Sequence, residues 1–255
     1  MKCVKIGNLN VGEGMPKICV PIVGAAEAEI REAAAAIVSL ENPPDLVEWR
    51  ADWYEHIFDW QRANEIVKEI REQLKEIPLL FTFRTKNEGG ERKIEWNQYQ
   101  ELLCHAAQSG YVDAVDVEAF SFGNPVEGLV EQLHREQMVV IGSNHDFQQT
   151  PETEEMVRRL YEMRDFGMDL AKLAVMPRNA GDVQRLLAAT CQAASDSEMC
   201  PIITMSMSGQ GLISRMSGEI FGSVLTFASA GRASAPGQIE MGKLRQILAI
   251  IHENQ

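Results

Sequence analysis

Eight short apolar runs recur about every 25 to 35 residues, each followed by an amphipathic stretch of helical length, and they constrain this chain more than any other feature. A run that is apolar on both faces marks a strand covered by helices on both sides of a parallel sheet. Its alternation with helical periodicity is the sequence form of repeated βα units. The predicted strands are 17–23 (KICVPIV), 45–50 (DLVEWR), 78–84 (PLLFTFR), 112–118 (VDAVDVE), 138–144 (MVVIGSN), 169–175 (DLAKLAV), 201–207 (PIITMSM) and 223–229 (SVLTFAS). Helical stretches fall between them, among them 27–40, 64–74, 96–110, 151–166 and 180–194. No Gly/Ser-rich linker, low-complexity tract or shift in composition divides the series, so residues 1–255 are expected to form a single domain. Eight uninterrupted βα units predict an α/β fold closed as a (β/α)8 TIM barrel, a fold that typically needs about 250 residues. The segment VKIGNLNVGEG (4–14) suits a short N-terminal hairpin that plugs one end. A doubly wound open sheet is the structural alternative, but the first strand is not followed by a G-x-G-x-x-G turn.

Charge narrows the partners. With 37 acidic against 24 basic residues the formal charge is -13, and no long basic run interrupts the acidity. A nucleic acid or an anionic membrane therefore has no electrostatic footprint to bind, and a small molecule is the better default. The stretch MKCVKIGNLN lacks the apolar core of a signal peptide, and no window approaches the ~18 apolar residues that span a bilayer, so a cytoplasmic location is expected. Five cysteines (Cys3, Cys19, Cys104, Cys191, Cys200) are scattered without a C-x-x-C pair or a Cys/His cluster, so neither a disulfide framework nor a zinc site is indicated.

Barrel interiors hold branched apolar side chains, so polar residues near the C-terminal ends of strands are candidates for an active-site face. In the second strand, period-2 alternation puts Leu46, Glu48, Arg50 and Asp52 on one face and Val47, Trp49 and Ala51 on the other, and the apolar set must pack under the helices. By the same argument Arg84 ends strand three on the inner face, strand four carries Asp116 and Glu118, strand five runs into Ser143 and His145, and strand six places Lys172 beside Leu170 and Ala174. Interior Glu/Arg pairs also serve as structural ion pairs, and for Glu48 with Arg50 both readings stand. His105, His134 and His252 fall in helical stretches and His56 in a connection, where histidine is ordinary. His145 differs because it ends an apolar strand. Lys172 is the sharpest signal: a lone lysine in a strand buried on both faces costs much desolvation unless it has partners or loses its proton.

A lysine with its ordinary pKa of ~10.4 is an amine in only about 0.1% of molecules at neutral pH, and the amine is what attacks carbonyls. An environment that lowers the pKa to ~7–8 raises that fraction a few hundred-fold, worth about 3 kcal/mol of barrier. Met205 and Met207, alternating with Thr204 and Ser206 in strand seven, supply a wall that would keep the amine dry. Ionised Asp116 and Glu118 would act in the opposite direction. The chemistry indicated is Schiff-base formation with a ketone or aldehyde, with His145 as the proton-transfer partner.

The segments EWRAD (48–52), LLFTFRTKNEGG (79–90), SNHDF (143–147), KLAVMP (172–177), IITMSM (202–207), SRMSGEIFGS (214–223) and SAPGQ (234–238) fall on these strand ends. In their order and spacing the chain closely resembles the type I 3-dehydroquinate dehydratase family, the Schiff-base dehydratases of the shikimate pathway. The resemblance implies a metal-free and cofactor-free dehydration of 3-dehydroquinate to 3-dehydroshikimate in a (β/α)8 barrel, commonly a homodimer. It implies that Lys172 is the Schiff-base lysine, His145 the general acid/base and Glu88 the carboxylate that orients it. It carries over Glu48, Arg50, Arg84, Arg215, Ser234 and Gln238 as substrate-binding positions, with Arg215 near the start of the seventh helix holding the substrate carboxylate and the 234–238 segment closing over the pocket. Where some members carry a substrate-contacting serine, this chain has Pro21, which offers no side-chain donor. A class I aldolase on the same fold would also use a barrel lysine, but it usually binds phosphate. A non-catalytic barrel would be favoured by loss of Lys172 or His145, and both are present.

Overall fold

The computed structural model describes residues 2–123, 126–230 and 237–255. Strands β1 (Val4–Ile6) and β2 (Leu9–Val11) pair antiparallel as the expected hairpin. The eight predicted barrel strands follow in order as β3 (Lys17–Ile22), β4 (Leu46–Arg50), β5 (Leu79–Thr82), β6 (Ala114–Glu118), β7 (Val139–Asp146), β8 (Leu170–Val175), β9 (Ile202–Ser206) and β10 (Leu225–Ser229). From β3 to β9 each strand pairs in parallel with the next, and β10 returns to lie beside β3. Between β9 and β10 the cylinder closes on a single bridge, Ile202–Ser223, with Val224 N–H donating to the Ile202 carbonyl at 2.9 Å. A two-residue strand, β11 (Ile239–Glu240), adds to the free end of β10.

The helices are α1 (Glu27–Val38), α2 (Trp60–Leu74), α3 (Trp96–Gln108), α4 (Glu127–Arg135), α5 (Thr153–Asp165), α6 (Ala180–Ala194), α7 (Leu212–Met216), α8 (Gly218–Phe221) and α9 (Met241–Glu253). Helix α2 begins four residues before the periodic stretch that signalled it, because the Asp59 side chain accepts the Arg62 N–H and caps the helix there. Between β9 and β10 the single expected seventh helix is broken into a 3-10 turn (Gly209–Gly211), α7 and α8. Arg215 accordingly sits in the last turn of a five-residue helix, not near the start of a longer one. Among the described residues no helix is long and apolar enough to cross a membrane.

Strand alternation divides the buried side chains into two sets. Outward-facing Val47, Trp49, Phe81, Val115, Val117, Ala171, Leu173 and Val175 join the helices in the larger core. The inner set at the N-terminal ends of the strands is Cys19, Leu46, Leu80, Ala114, Ile141, Leu170, Ile203 and Leu225, closed from below by Ile6 and Val11 of the hairpin. Pro21 also faces inward. The Lys17 N–H donates to the carbonyl of Val224, just before β10, so by alternation the nitrogen of Pro21 faces the β10 side as well, where proline has no proton to give. The β3–β10 ladder ends at Cys19–Phe227, just before it.

Candidate active site

Moving up each strand by two residues from the apolar plug reaches the charged layer. Lys172, above Leu170 on β8, is 3% exposed. Its ammonium lies 3.3 Å from Asp116 Oδ2 and 3.7 Å from Glu48 Oε1, and 4.4 Å from the centre of the Phe227 ring. Glu48 accepts the Thr82 hydroxyl at 2.9 Å. Of the two readings of Glu48 and Arg50, the mutual structural ion pair is not formed: Glu48 faces Lys172, whereas Arg50 forks onto Asp52 through two bonds of 2.8 and 2.9 Å.

Arg84, projecting from the end of β5, is the hub of the acidic side chains. It donates to Asp116 at 2.8 Å, to Glu118 at 3.0 Å and to the Ser143 hydroxyl at 2.9 Å, and lies 3.4 Å from Glu88. Burial disfavours its charge, but these carboxylates together hold the guanidinium well above its ordinary pKa. Burial likewise pushes Asp116 up, and the cations of Arg84 and Lys172 outweigh it and hold the carboxyl below its ordinary value. Glu118 is further fixed by the Thr85 amide at 2.7 Å and hydroxyl at 2.8 Å. Removing one partner from such a buried pair costs about 3–5 kcal/mol, because the survivor keeps its charge without compensation.

The turn after β5 carries Glu88, and its path is set from below and from within. Asp52, fully buried, accepts the backbone N–H of Arg84 at 3.3 Å and of Glu91 at 3.1 Å. The turn is tight enough that a Cβ on Gly90 would lie 1.8 Å from the Arg84 carbonyl. Gly89 takes φ +83°, and a Cβ there would lie 2.4 Å from the Phe147 ring. That space lets Phe147 stack on His145, with ring centroids 6.5 Å apart.

Glu88 Oε2 meets His145 twice, at the backbone N–H and at ring Nδ1, both at 2.9 Å. Its other oxygen accepts Ser121 Oγ at 2.8 Å and Asn144 Nδ2 at 3.2 Å. Burial, reinforced by the Glu118 charge, pushes Glu88 up, against the lowering effect of Arg84 and these hydrogen bonds. Burial also holds His145 well below its ordinary 6.5, with Arg84, Lys172 and Arg50 acting in the same direction. The fold therefore favours the neutral ring over the imidazolium. With Nδ1 engaged by Glu88, Nε2 is the nitrogen left for the cavity.

That cavity brings Lys172, His145, Glu88, Glu48, Arg50, Arg84, Arg215 and Gln238 around one space. Phe147, Phe227, Met205 and Met207 line it as well, so the methionine wall expected from β9 stands beside the lysine. Arg215 is 1% exposed, with Nη1 3.7 Å from Met205 Sδ and 3.4 Å from the Phe227 carbonyl, and burial lowers its pKa to about 10. Ser234 lies outside the described residues. Periodicity gave no sign of Phe147 or Ser121, which sit after strand ends, or of Phe227 as a lid on the lysine. The clue to Phe227 was its inward register two residues above Leu225. His134, His252 and His56 pair with Asp169, Glu219 and Glu55, and His105 stacks on Trp60, all away from the cavity.

Residues 18–255 match the family model of type I 3-dehydroquinase. The chain is 47% identical to a 3-dehydroquinate dehydratase of Bacillus licheniformis and 44% identical to one of Clostridium novyi, in each case over 99% of both chains. A solved type I 3-dehydroquinate dehydratase from Clostridium difficile, carrying covalently modified comenic acid, superposes with a TM-score of 0.95 at 43% identity, covering 100% of this chain and 99% of that one. The enzyme of Geobacillus kaustophilus superposes at 0.94 with 34% identity, over 99% of this chain and 97% of that one.

Proposed function

The chain belongs to the type I 3-dehydroquinase family, and from that premise we propose that the cavity at its barrel mouth dehydrates 3-dehydroquinate to 3-dehydroshikimate through a Schiff base on Lys172. The reaction is a hydro-lyase step of the shikimate pathway, which leads to aromatic amino acids. One observation carries the assignment of roles: a buried primary amine and an imidazole held by the Glu88 side chain open onto the same apolar-walled cavity.

The amine of Lys172, once it has given up a proton, adds to the ring ketone. The carbinolamine then loses water to leave a protonated imine. That iminium draws electrons from the neighbouring C–H bond, and His145 Nε2 takes the proton as the electron pair becomes an enamine. The nitrogen lone pair then re-forms the iminium as the enamine C=C pair moves over to make the new carbon–carbon double bond and the carbon–oxygen bond of the leaving hydroxyl breaks, and the proton held by His145 leaves with that oxygen as water. A second water hydrolyses the imine, frees the enone and restores the amine. Asp116 and Glu48 keep carboxylates within 4 Å of the nitrogen and so stabilise the cationic imine through both halves of the cycle.

Arg215 is assigned the substrate carboxylate on the family resemblance, and its place in the cavity lining beside Lys172 and Phe227 supports that role. A planar fork in a dry pocket suits a carboxylate bound through two hydrogen bonds. Arg50, Arg84, Glu48 and Gln238 then face the ring hydroxyls, and Ser234, outside the described residues, is assigned to the same group on the family resemblance. Pro21 adds no polar contact. The same reading makes residues 1–255 one barrel unit, acting as a cytoplasmic homodimer on a small acid without cofactor, nucleic acid or membrane.

Mixing the purified protein with 3-dehydroquinate and following the enone absorbance tests the activity. Borohydride added during turnover should inactivate the enzyme and leave a reduced ligand on Lys172, detected by peptide mass mapping. An inactivated sample with Lys172 unmodified would remove the covalent assignment.

A further inference from the structure

Glu88 is held on its far side by a residue that does not touch the cavity. Asn144 follows Ser143 on β7 and points away from the barrel axis, where α5 packs. Its Nδ2 donates to Glu88 Oε1 at 3.2 Å, and its Oδ1 accepts from Arg159 Nη1 on α5 at 3.0 Å. The direction of that amide is dictated by chemistry: arginine has only donors, so the amide oxygen must face Arg159 and the NH2 group is left for Glu88. Arg159 is itself fixed, with Nε donating to Glu155 at 2.7 Å and Nη1 3.8 Å from Asp146. A continuous path of directed hydrogen bonds thus runs from α5 through Asn144 and Glu88 to His145 Nδ1.

The direction matters because the Glu88–His145 contact has two neutral-ring versions. With Glu88 ionised, Nδ1 carries the proton and Nε2 presents its lone pair to the cavity. With Glu88 protonated, the carboxyl donates to Nδ1, the ring proton moves to Nε2 and the base is lost. Burial favours the protonated carboxyl, so the ionised one needs donors to hold it. We propose that Asn144 and Arg159 are a positioning pair which, through Glu88, selects the His145 tautomer able to act as a base.

The charged groups around the pair are few. Glu88 faces Arg84 from β5, Glu118 from β6 and His145 from β7, and His145 also lies in the fields of Lys172 and Arg50. None of these is altered by a change at Asn144 or Arg159. Asn144→Asp replaces the donor with an acceptor beside Glu88, and Arg159→Met removes the cation and frees the amide to turn. Both changes raise the affinity of the Glu88–His145 pair for protons. The active form is then reached only at higher pH.

This inference rests on the reading of His145 and Glu88 as the proton-transfer pair, and the experiment separates the two. The kcat–pH profile of the enzyme with 3-dehydroquinate is measured for the wild type, Asn144→Asp, Arg159→Met and Arg159→Lys, with His145→Ala as the control for that reading. The expected result is an acid limb displaced upward by about one pH unit or more in Asn144→Asp and Arg159→Met. Their kcat should fall about tenfold at pH 7, short of the roughly 10²–10⁴-fold cost of losing a general base, with KM nearly unchanged. Arg159→Lys should restore most of the wild-type profile. The ring 15N shifts of His145 should move toward the Nε2–H tautomer in Asn144→Asp. Folded variants whose acid limb and 15N shifts match the wild type overturn the positioning role, as does a loss of kcat that tracks thermal stability while the limb stays in place. Wild-type turnover in His145→Ala would instead overturn the underlying reading.

Discussion

The lower and upper halves of the barrel interior are made by the same strands, two residues apart, and are equally dry. Leu46 is followed by Glu48, Ala114 by Asp116, Leu170 by Lys172, and both members of each pair are at most 3% exposed. The lower residues interlock as an apolar plug under the hairpin. The upper ones form a charge network centred on Arg84 and Lys172. Depth of burial therefore does not tell stability from chemistry in this molecule. Content does, since apolar contacts gain from losing water whereas each buried ion must recover its hydration from a partner.

The largest test of that division is made at the top. Lys172→Ala should abolish both turnover and the borohydride-trapped adduct. His145→Ala should lower turnover by roughly 10²–10⁴-fold yet still accumulate a covalent ligand mass, because its amine adds to the ketone while onward proton removal is blocked. Intact-protein mass spectrometry distinguishes the two, and a folded His145→Ala that forms no adduct would make the histidine necessary for imine formation itself. At the bottom, Ile6→Ala empties a fully buried site in the plug, and denaturant unfolding should show a loss of about 2–5 kcal/mol with kcat per folded molecule unchanged. A fall in kcat there would mean that the two halves are mechanically coupled.

Arg215→Ala should weaken ligand binding by about 2–4 kcal/mol, seen mainly as a higher KM. Unchanged affinity by titration would free Arg215 from the carboxylate. The smallest effect concerns pH. His145 is held neutral in the fold below its ordinary 6.5, so as pH falls from about 6.5 the unfolded chain takes up a proton that the folded one refuses. Stability is lost in that direction, down through the folded pKa, and His145→Ala should make the decline of Tm between pH 6.5 and 5 shallower than in the wild type. An identical slope would place the imidazole in contact with water.

Much of this was readable before any coordinates, for a definite reason. A strand buried on both faces must be apolar throughout, so Glu48, Arg50 and Lys172 stood out against Val47, Trp49 and Leu173, and period 2 assigned them to the interior. The connectivity of the charges was not readable. That Arg50 grips Asp52 while Glu48 faces Lys172 depends on how far the backbone turns after β4 into its 3-10 segment (Ala51–Trp53), which no periodicity records. Glu88 lies on a similar turn (Lys86–Glu88), and only the resemblance of its EGG segment to a known family marked it. The break between α7 and α8 escaped notice because Ser217 and Gly218 sit in an otherwise helical pattern.

The way the cylinder closes has a consequence for how the chain is made. Strand β3 needs β10 as its second neighbour, and the paired residues Lys17 and Leu225 are separated by roughly 200 residues. A chain emerging from the ribosome thus carries β3 to β9 as a curled but open sheet whose two outer strands lack a partner, and such bare strand edges are templates for pairing with other chains. The hairpin, synthesised earlier, can cover the bottom but neither edge. Long-range parallel pairing is also slow to find, since the entropy of closing the loop comes before any contact rewards it. The seam at Ile202–Ser223 is then the last part of the barrel to form, and a chain cut short of Leu225 is left as an unsealed sheet rather than a smaller barrel.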